Sequence, residues 1–131
     1  RVLEIGAGCG YQTTILSRLS NEVYCIERIE ALVRKLRSNL FGLKVNNVRT
    51  LHADGFQGWS EKSPFDAILV AAAPLTVPEK LLGQLDVGGR LIIPVGEDGQ
   101  QELKLIKRGS NGFHEETLEK VSFVPLLNGV V

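Results

Sequence analysis

Two hydrophobic rhythms alternate along this chain. Short apolar runs at residues 2–5, 23–26, 45–52, 65–71 and 90–95 read as strands. The first is apolar apart from Glu4, as a central parallel strand should be. Between these runs the spacing lengthens to that of a helix. Residues 12–19 predict one helix with Ile15, Leu16 and Leu19 on a single face. Residues 29–43 predict a longer one, with Leu32, Val33, Leu36, Leu40 and Leu43 inward and Arg34, Lys35 and Arg37 outward. Pro78 opens a third, running to Leu85 and closed by Gly88-Gly89.

Strands that alternate with helices demand a parallel sheet with right-handed crossovers. The expected strand order is 3-2-1-4-5, which reverses between strands one and four. The pattern then changes. Only the turn 96–101 separates Val95 from the next strand, 102–108, too little for a helical crossover, so strand six must return antiparallel. Phe113 begins another return, and 121–126 is expected as the last strand.

Composition narrows the class without deciding it. A chain of 131 residues, 44% hydrophobic and 23% charged, makes one globular domain, 1–131. Lys+Arg and Asp+Glu both total 15, which predicts neither a nucleic-acid-coating surface nor a polybasic membrane patch. Mean hydropathy is +0.06, and no run is long enough for a membrane helix. Cys9 and Cys25 stand at no metal-ligand spacing and suggest reduced cytoplasmic thiols. Met is absent and Arg1 falls directly before the first strand, so the chain reads as a piece whose N-terminal segment lies elsewhere.

Chemistry enters where the first strand runs into Gly6, Gly8 and Gly10. The pyrophosphate fingerprint places its third glycine one position later, where this chain has Tyr11. G-x-G-x-G preceded by the acidic Glu4 suits a ligand without pyrophosphate, an amino acid joined directly to adenosine. S-adenosyl-L-methionine fits: its carboxylate can meet N–H groups at a helix start, and its ammonium and sulfonium favour a nearby carboxylate such as Glu4. Glu27 follows strand two at the distance from which an acid reaches ribose hydroxyls. Asp54-Gly55 follows strand three, where a carboxylate can accept from the adenine amine. Phe56 and Trp59 either wall the adenine or cover the sheet edge. The expected fold is therefore α/β, Rossmann-like, of the class I S-adenosylmethionine-dependent methyltransferase kind, with a C-terminal antiparallel hairpin.

Other candidates point away from a base. Asp66 lies near the start of strand four, far from the rim where ligands bind, and reads as structural. His52 and His114 pair with no nucleophile, and Cys9 in the glycine turn reads as a small residue that fits. Small residues at Ala71, Ala72 and Ala73 leave room for an acceptor on the rim. A carboxylate acceptor, already ionised at neutral pH, needs alignment more than proton removal.

Together these residues resemble the bacterial type of the protein-L-isoaspartate (D-aspartate) O-methyltransferase family. The stretch from Val2 to Thr13 is similar to its first motif, Tyr11-Gln12-Thr13 being more specific than the glycines. Ile26-Glu27-Arg28-Ile29, Asp54-Gly55 with Gly58-Trp59, Ser63-Pro64-Phe65-Asp66, the stretch 85–96, Gln100-Gln101 and Phe123-Val124-Pro125-Leu126 continue the likeness across the chain. The resemblance implies methyl transfer from S-adenosyl-L-methionine to the α-carboxylate of L-isoaspartyl residues in damaged proteins and peptides. It places Gly6, Ala7, Gly8, Cys9 and Gly10 at the methionine moiety, Glu27 and Arg28 at the ribose, Asp54 and Gly55 at the adenine, and Ala72 and Val124 against the substrate. It implies a cytoplasmic monomer with no metal and no nucleic-acid partner. The family's essential serine belongs to a Ser-x-Pro segment upstream of the glycine motif, so no catalytic residue is assigned within these residues. Where many members carry Thr, this chain has Ala71.

Three other readings share parts of this pattern. A methyltransferase for a small molecule would use the same cofactor residues, and the signatures at 11–13, 100–101 and 124–126 argue against it. A binding module without turnover would describe these residues in isolation. A dinucleotide-dependent oxidoreductase is disfavoured by Tyr11 and by the hairpin after Val95.

Overall fold

The computed structural model describes all 131 residues. Seven strands form one sheet in the order β3-β2-β1-β4-β5-β6-β7. They are β1 (Val2–Ile5), β2 (Val23–Glu27), β3 (Val48–His52), β4 (Phe65–Val70), β5 (Leu85–Val95), β6 (Gln101–Gly109) and β7 (Gly112–Val121). The helices are α1 (Tyr11–Leu19), α2 (Glu30–Gly42) and the short α3 (Glu79–Gly83). β1 to β5 pair in parallel; β6 and β7 pair antiparallel, as the short turn after Val95 requires. The expected order 3-2-1-4-5 is found, with its reversal between β1 and β4.

Alternate residues of the parallel strands feed two separate cores. Leu3, Ile5, Tyr24, Ile26, Phe65, Ile68, Leu81, Leu91 and Ile93 pack into the larger one, on the side of α3. Phe65 is fully buried, with its ring edge-on to Tyr24 at 5.9 Å. On the opposite face Cys25 packs with Ala7, Leu36 and Leu40 under α2. On that face Ala67, Leu69, Ile92, Leu103 and Leu105 stay half-buried, because α1 and α2 lie over β2 and β3 instead. The other flank of the sheet is β7, whose residues are exposed almost throughout.

Five expectations are corrected. α2 ends at Gly42, and Leu43, expected on its inner face, is exposed. α1 buries Thr13 and Ser17 while Ile15 and Leu19 are exposed, so its inner face is polar. α3 is a single turn, and β5 begins at Leu85, running through Gly88-Gly89 with a register shift against β4 between Phe65 and Ala67. β3 begins at Val48 rather than at residue 45. Residues 122–126 are not a strand; β7 ends at Val121, and the chain then crosses the sheet's end, making one parallel bridge from Pro125 to Ala73. The bridge is made by Ala73 N–H donating to Val124 O and Leu126 N–H donating to Ala73 O, on either side of Pro125.

Phe65→Ala should remove the largest buried side chain at the junction of β4, β5 and α3. The expected loss is about 3–5 kcal/mol in urea-unfolding free energy.

Candidate functional site

The carboxyl ends of β1, β2 and β4 open onto a groove of about 420 Å³ at the topological reversal. Ligands of open α/β sheets bind at this place. Gly6, Gly8, Glu27, Arg28, Gly55, Ala72 and Val124 all line it, so seven of the sequence-derived site residues converge from five separate segments. Glu4, Ala7, Cys9, Gly10 and Asp54 are not among its lining residues.

Glu4 is turned toward α1. It is fully buried, and Thr13 Oγ1 donates to one carboxylate oxygen while Gln12 Nε2 donates to the other at 2.9 Å. Its carboxylate therefore braces the glycine turn rather than facing the groove. Burial pushes the Glu4 carboxyl above its ordinary value; the bonds from Thr13 and Gln12 pull it back, and the nearby Glu27 charge adds to the rise. This bracing explains the polar inner face of α1: a buried carboxylate needs donors, and Thr13 and Gln12 supply them.

The turn itself is closed by its own hydrogen bonds. Gly6 N–H and Ala7 N–H donate to Ile26 O, Gly10 N–H donates to Ala7 O, and Gly8 N–H donates to Glu27 at 3.0 Å. These four donors are thus committed within the protein, and what the turn offers a ligand is close backbone approach. Gly10 caps α1 with φ 99°, where a Cβ would also come within 2.7 Å of Leu36 Cδ1. Cys9 is exposed; it and Gly10 line a second surface groove between α1 and α2, where Cys9 O accepts from Asn39 Nδ2 at 2.8 Å.

Glu27 holds the groove's other wall. Its carboxylate is buried and accepts from Gly8 N–H and from Ile29 N–H, each at 3.0 Å. It ties the glycine turn to the start of α2. A carboxylate has about four acceptor positions, so two such bonds leave capacity for hydroxyl donors. Arg28 donates to Gly129 O and Asn128 O, and its own carbonyl accepts from Val131 N–H at 2.9 Å. His52 Nε2 lies 2.8 Å from the same carbonyl, in the structural role expected of it. His114 sits on β7 opposite Lys107, and Asp66 N–H donates to Arg1 O at 2.8 Å, both away from the groove.

Asp54 caps a 3₁₀ turn at Gly55–Gln57, its Oδ1 accepting from Phe56 N–H at 2.9 Å. Gly55 is buried against Ile5, and a Cβ there would come within 2.5 Å of Ile5 Cγ2. Trp59 meets Tyr24 edge-on at 5.4 Å and packs on the larger core, so it covers the sheet rather than the groove.

Sequence reasoning did not anticipate two buried glutamines that hold the neighbouring loops. Gln84 Oε1 accepts from Trp59 N–H at 2.8 Å and its Nε2 donates to Gln57 O at 2.9 Å, pinning the Asp54-Gly55 loop to the end of α3. Gln101 does the same for the segment that carries Val124. For Gln84 the sequence offered no signal, since a glutamine at a helix end is ordinary. For Gln101 the only signal was membership of the Gln100-Gln101 pair.

The sheet order, the acid that ends β2 and the glycine turn after β1 together define a methyltransferase-like α/β domain. A family model described as protein-L-isoaspartate(D-aspartate) O-methyltransferase matches residues 1–130, and the chain belongs to that family. It is 55% identical over 131 residues to a Hahella chejuensis protein-L-isoaspartate O-methyltransferase, covering all of this chain and 62% of that one. An Azoarcus relative of the same name is 57% identical over 129 residues, 98% of this chain and 59% of that one. The chain thus spans about six-tenths of the length of these curated relatives. Among solved structures, a protein-L-isoaspartate O-methyltransferase superposes with TM-score 0.91 at 30% identity, covering 99% of this chain and 43% of that one. A Plasmodium falciparum protein described as a protein-L-isoaspartate O-methyltransferase, in complex with S-adenosyl-L-homocysteine, gives TM-score 0.80 at 31% identity over 97% of this chain and 65% of its own.

Two variants test the turn. Gly10→Ala places a side chain at φ 99° against Leu36 and should cost about 1–3 kcal/mol in thermal or urea unfolding. Glu4→Gln removes a carboxyl that holds its proton more tightly folded than unfolded. Such a group contributes stability that is complete below the ordinary glutamate range and is lost as pH rises through its folded value. The calorimetric Tm of the wild type relative to Glu4→Gln should therefore fall as pH is raised from about 4.5 to about 8.

Proposed function

We propose that the groove binds S-adenosyl-L-methionine and that the protein carrying this chain transfers its methyl group to the α-carboxylate of L-isoaspartyl residues in proteins and peptides. The observation that carries the reading is Glu27: a buried carboxylate on the groove wall, tied to both the glycine turn and α2, with acceptor capacity left over. The residues present fit the cofactor. The groove's 420 Å³ lies within the range of small-molecule sites, and nothing stands within 4 Å of the place a Cβ would take on Gly8.

In this reading Glu27 accepts from the ribose hydroxyls and Asp54, from the adjoining loop, accepts from the adenine amine. Gly6 and Gly8 let the methionine portion lie against bare backbone, while Ala72 and Val124 border the methyl group. When bound, the cofactor supplies an electrophilic methyl carried on sulfonium. The acceptor carboxylate is ionised at neutral pH, so the chain's residues need only exclude water and align it, with no proton to remove. This accords with a groove lined by Gly6, Ala71 and Ala72 and by no histidine. Cytoplasmic action as a monomer on protein substrates belongs to the same proposal, supported by two unpaired cysteines and an even charge balance. No helix is long and apolar enough to cross a membrane.

In the intact protein, calorimetric titration with S-adenosyl-L-homocysteine should show binding that Glu27→Ala weakens by about 10–100-fold, the effect of losing a charged hydrogen-bond acceptor. Asp54→Ala should narrow the preference for that ligand over its hypoxanthine analogue. Methyl transfer should occur to an isoaspartyl peptide and not to its aspartyl counterpart; equal transfer to both, or absence of binding, would overturn the reading.

A further inference from the structure

A thin partition separates two grooves on the rim. Val124, Pro125, Leu126 and Leu127 line the cofactor groove on one side. On the other they line a larger groove of about 870 Å³, reached also by Phe56, Pro74, Thr76 and Gln101. The partition is a single extended chain with one apolar anchor, Leu126, packed on the larger core, while Val124 is 69% exposed and Leu127 is 50% exposed. Its remaining fastening is polar. At one end Ala73 N–H donates to Val124 O at 2.7 Å and Leu126 N–H donates to Ala73 O at 2.9 Å. At the other end no backbone strand is available, because β6 begins at Gln101 and is already paired with Val121.

Gln101 fills that place with its side chain. Its Oε1 accepts from Phe123 N–H at 2.7 Å and its Nε2 donates to Phe123 O at 3.0 Å, so one amide reads both backbone groups of a residue as a neighbouring strand would. It is 3% exposed, and both of its polar atoms are engaged on Phe123. Glu has the same length but lacks the donor, Asn is too short, and Leu offers neither group. Gln101 does not line the cofactor groove.

We propose that Gln101 is a positioning residue for the acceptor. By clamping Phe123 it fixes where Val124 stands, and so sets the passage through which an acceptor peptide in the larger groove presents its carboxylate to the methyl donor. The proposal rests on the functional reading given above. The cofactor's own grip, at Glu27, Asp54 and the glycine turn, lies on other elements, so loss of the clamp acts on the acceptor and leaves cofactor binding nearly intact.

The test compares Gln101→Leu and Gln101→Glu with wild type in the intact protein, by amide hydrogen exchange, KM for an isoaspartyl peptide, and Kd for S-adenosyl-L-homocysteine. Gln101→Leu should speed exchange at Phe123 and raise the peptide KM by about tenfold, while Kd changes by less than about threefold. Gln101→Glu should show a peptide KM that recovers as pH is lowered, because a protonated carboxyl can donate again to Phe123 O; Gln101→Leu should show no such recovery, and a general packing role would not produce it. Unchanged KM and unchanged Phe123 exchange in Gln101→Leu would overturn the proposal, as would equal increases in KM and Kd. If wild type binds S-adenosyl-L-homocysteine but methylates no isoaspartyl peptide, the functional reading fails, and the acceptor role proposed for Gln101 falls with it. Should Gln101→Leu not fold, Gln101→Glu and its pH profile decide alone.

Discussion

A carboxylate taken out of water must be matched by donors, and the match made by Glu4 shapes this domain's working end. Its partners, Thr13 and Gln12, lie on the first turn of α1, on the far side of the glycine turn from β1. Satisfying the carboxylate therefore fixes the angle at which helix follows strand. The turn between them is held in a conformation that needs glycine at Gly10, and its N–H groups close on Ile26 and Glu27. Removing either donor would leave one oxygen of a buried carboxylate unsatisfied, a costly polar defect. The brace thus sits behind the site and determines its form without facing it.

From that brace the rim is assembled by side chains that reach across segments. Glu27 joins the glycine turn to α2, Gln84 joins the Asp54 loop to α3, and Gln101 joins β6 to the segment carrying Val124. Each uses its polar atoms on backbone groups. Loops that cannot enter a sheet still have N–H and C=O groups to satisfy, and a buried amide supplies a donor and an acceptor together. The larger core beneath, centred on Phe65, Ile68 and Leu91, provides the rigid floor on which such contacts can hold position.

Much of this was legible in the sequence because parallel strands leave a strong mark. Apart from Glu4 and Asp66 the runs at 2–5, 23–26 and 65–71 are apolar on both faces, and the turn after Val95 is too short to be anything but a reversal. Strand order put Gly6, Gly8, Glu27, Gly55 and Ala72 at the carboxyl rim, and the family resemblance added Arg28 and Val124; all seven line one groove. What escaped was set by tertiary demand. Ile15 and Leu19 gave α1 an apparent apolar face, yet the need of Glu4 for donors turned Thr13 inward. The extent of β5 through Gly88-Gly89 ran against the usual reading of paired glycines as a stop. Phe123 and Val124 resemble a strand in composition, but the absence of a free neighbouring strand leaves them as a strap.

At the far flank, β7 leaves one side of its ladder open to solvent over ten residues. Such an edge invites another copy of the chain to continue the sheet. Glu115, Glu116, Glu119 and Lys120 lie along it, exposed, with acids outnumbering bases. Two such edges brought together at neutral pH would repel one another. Acid would neutralise the glutamates and silence that repulsion, so aggregation by edge-to-edge accretion is a low-pH hazard that arises from charge, quite apart from whether the core has loosened.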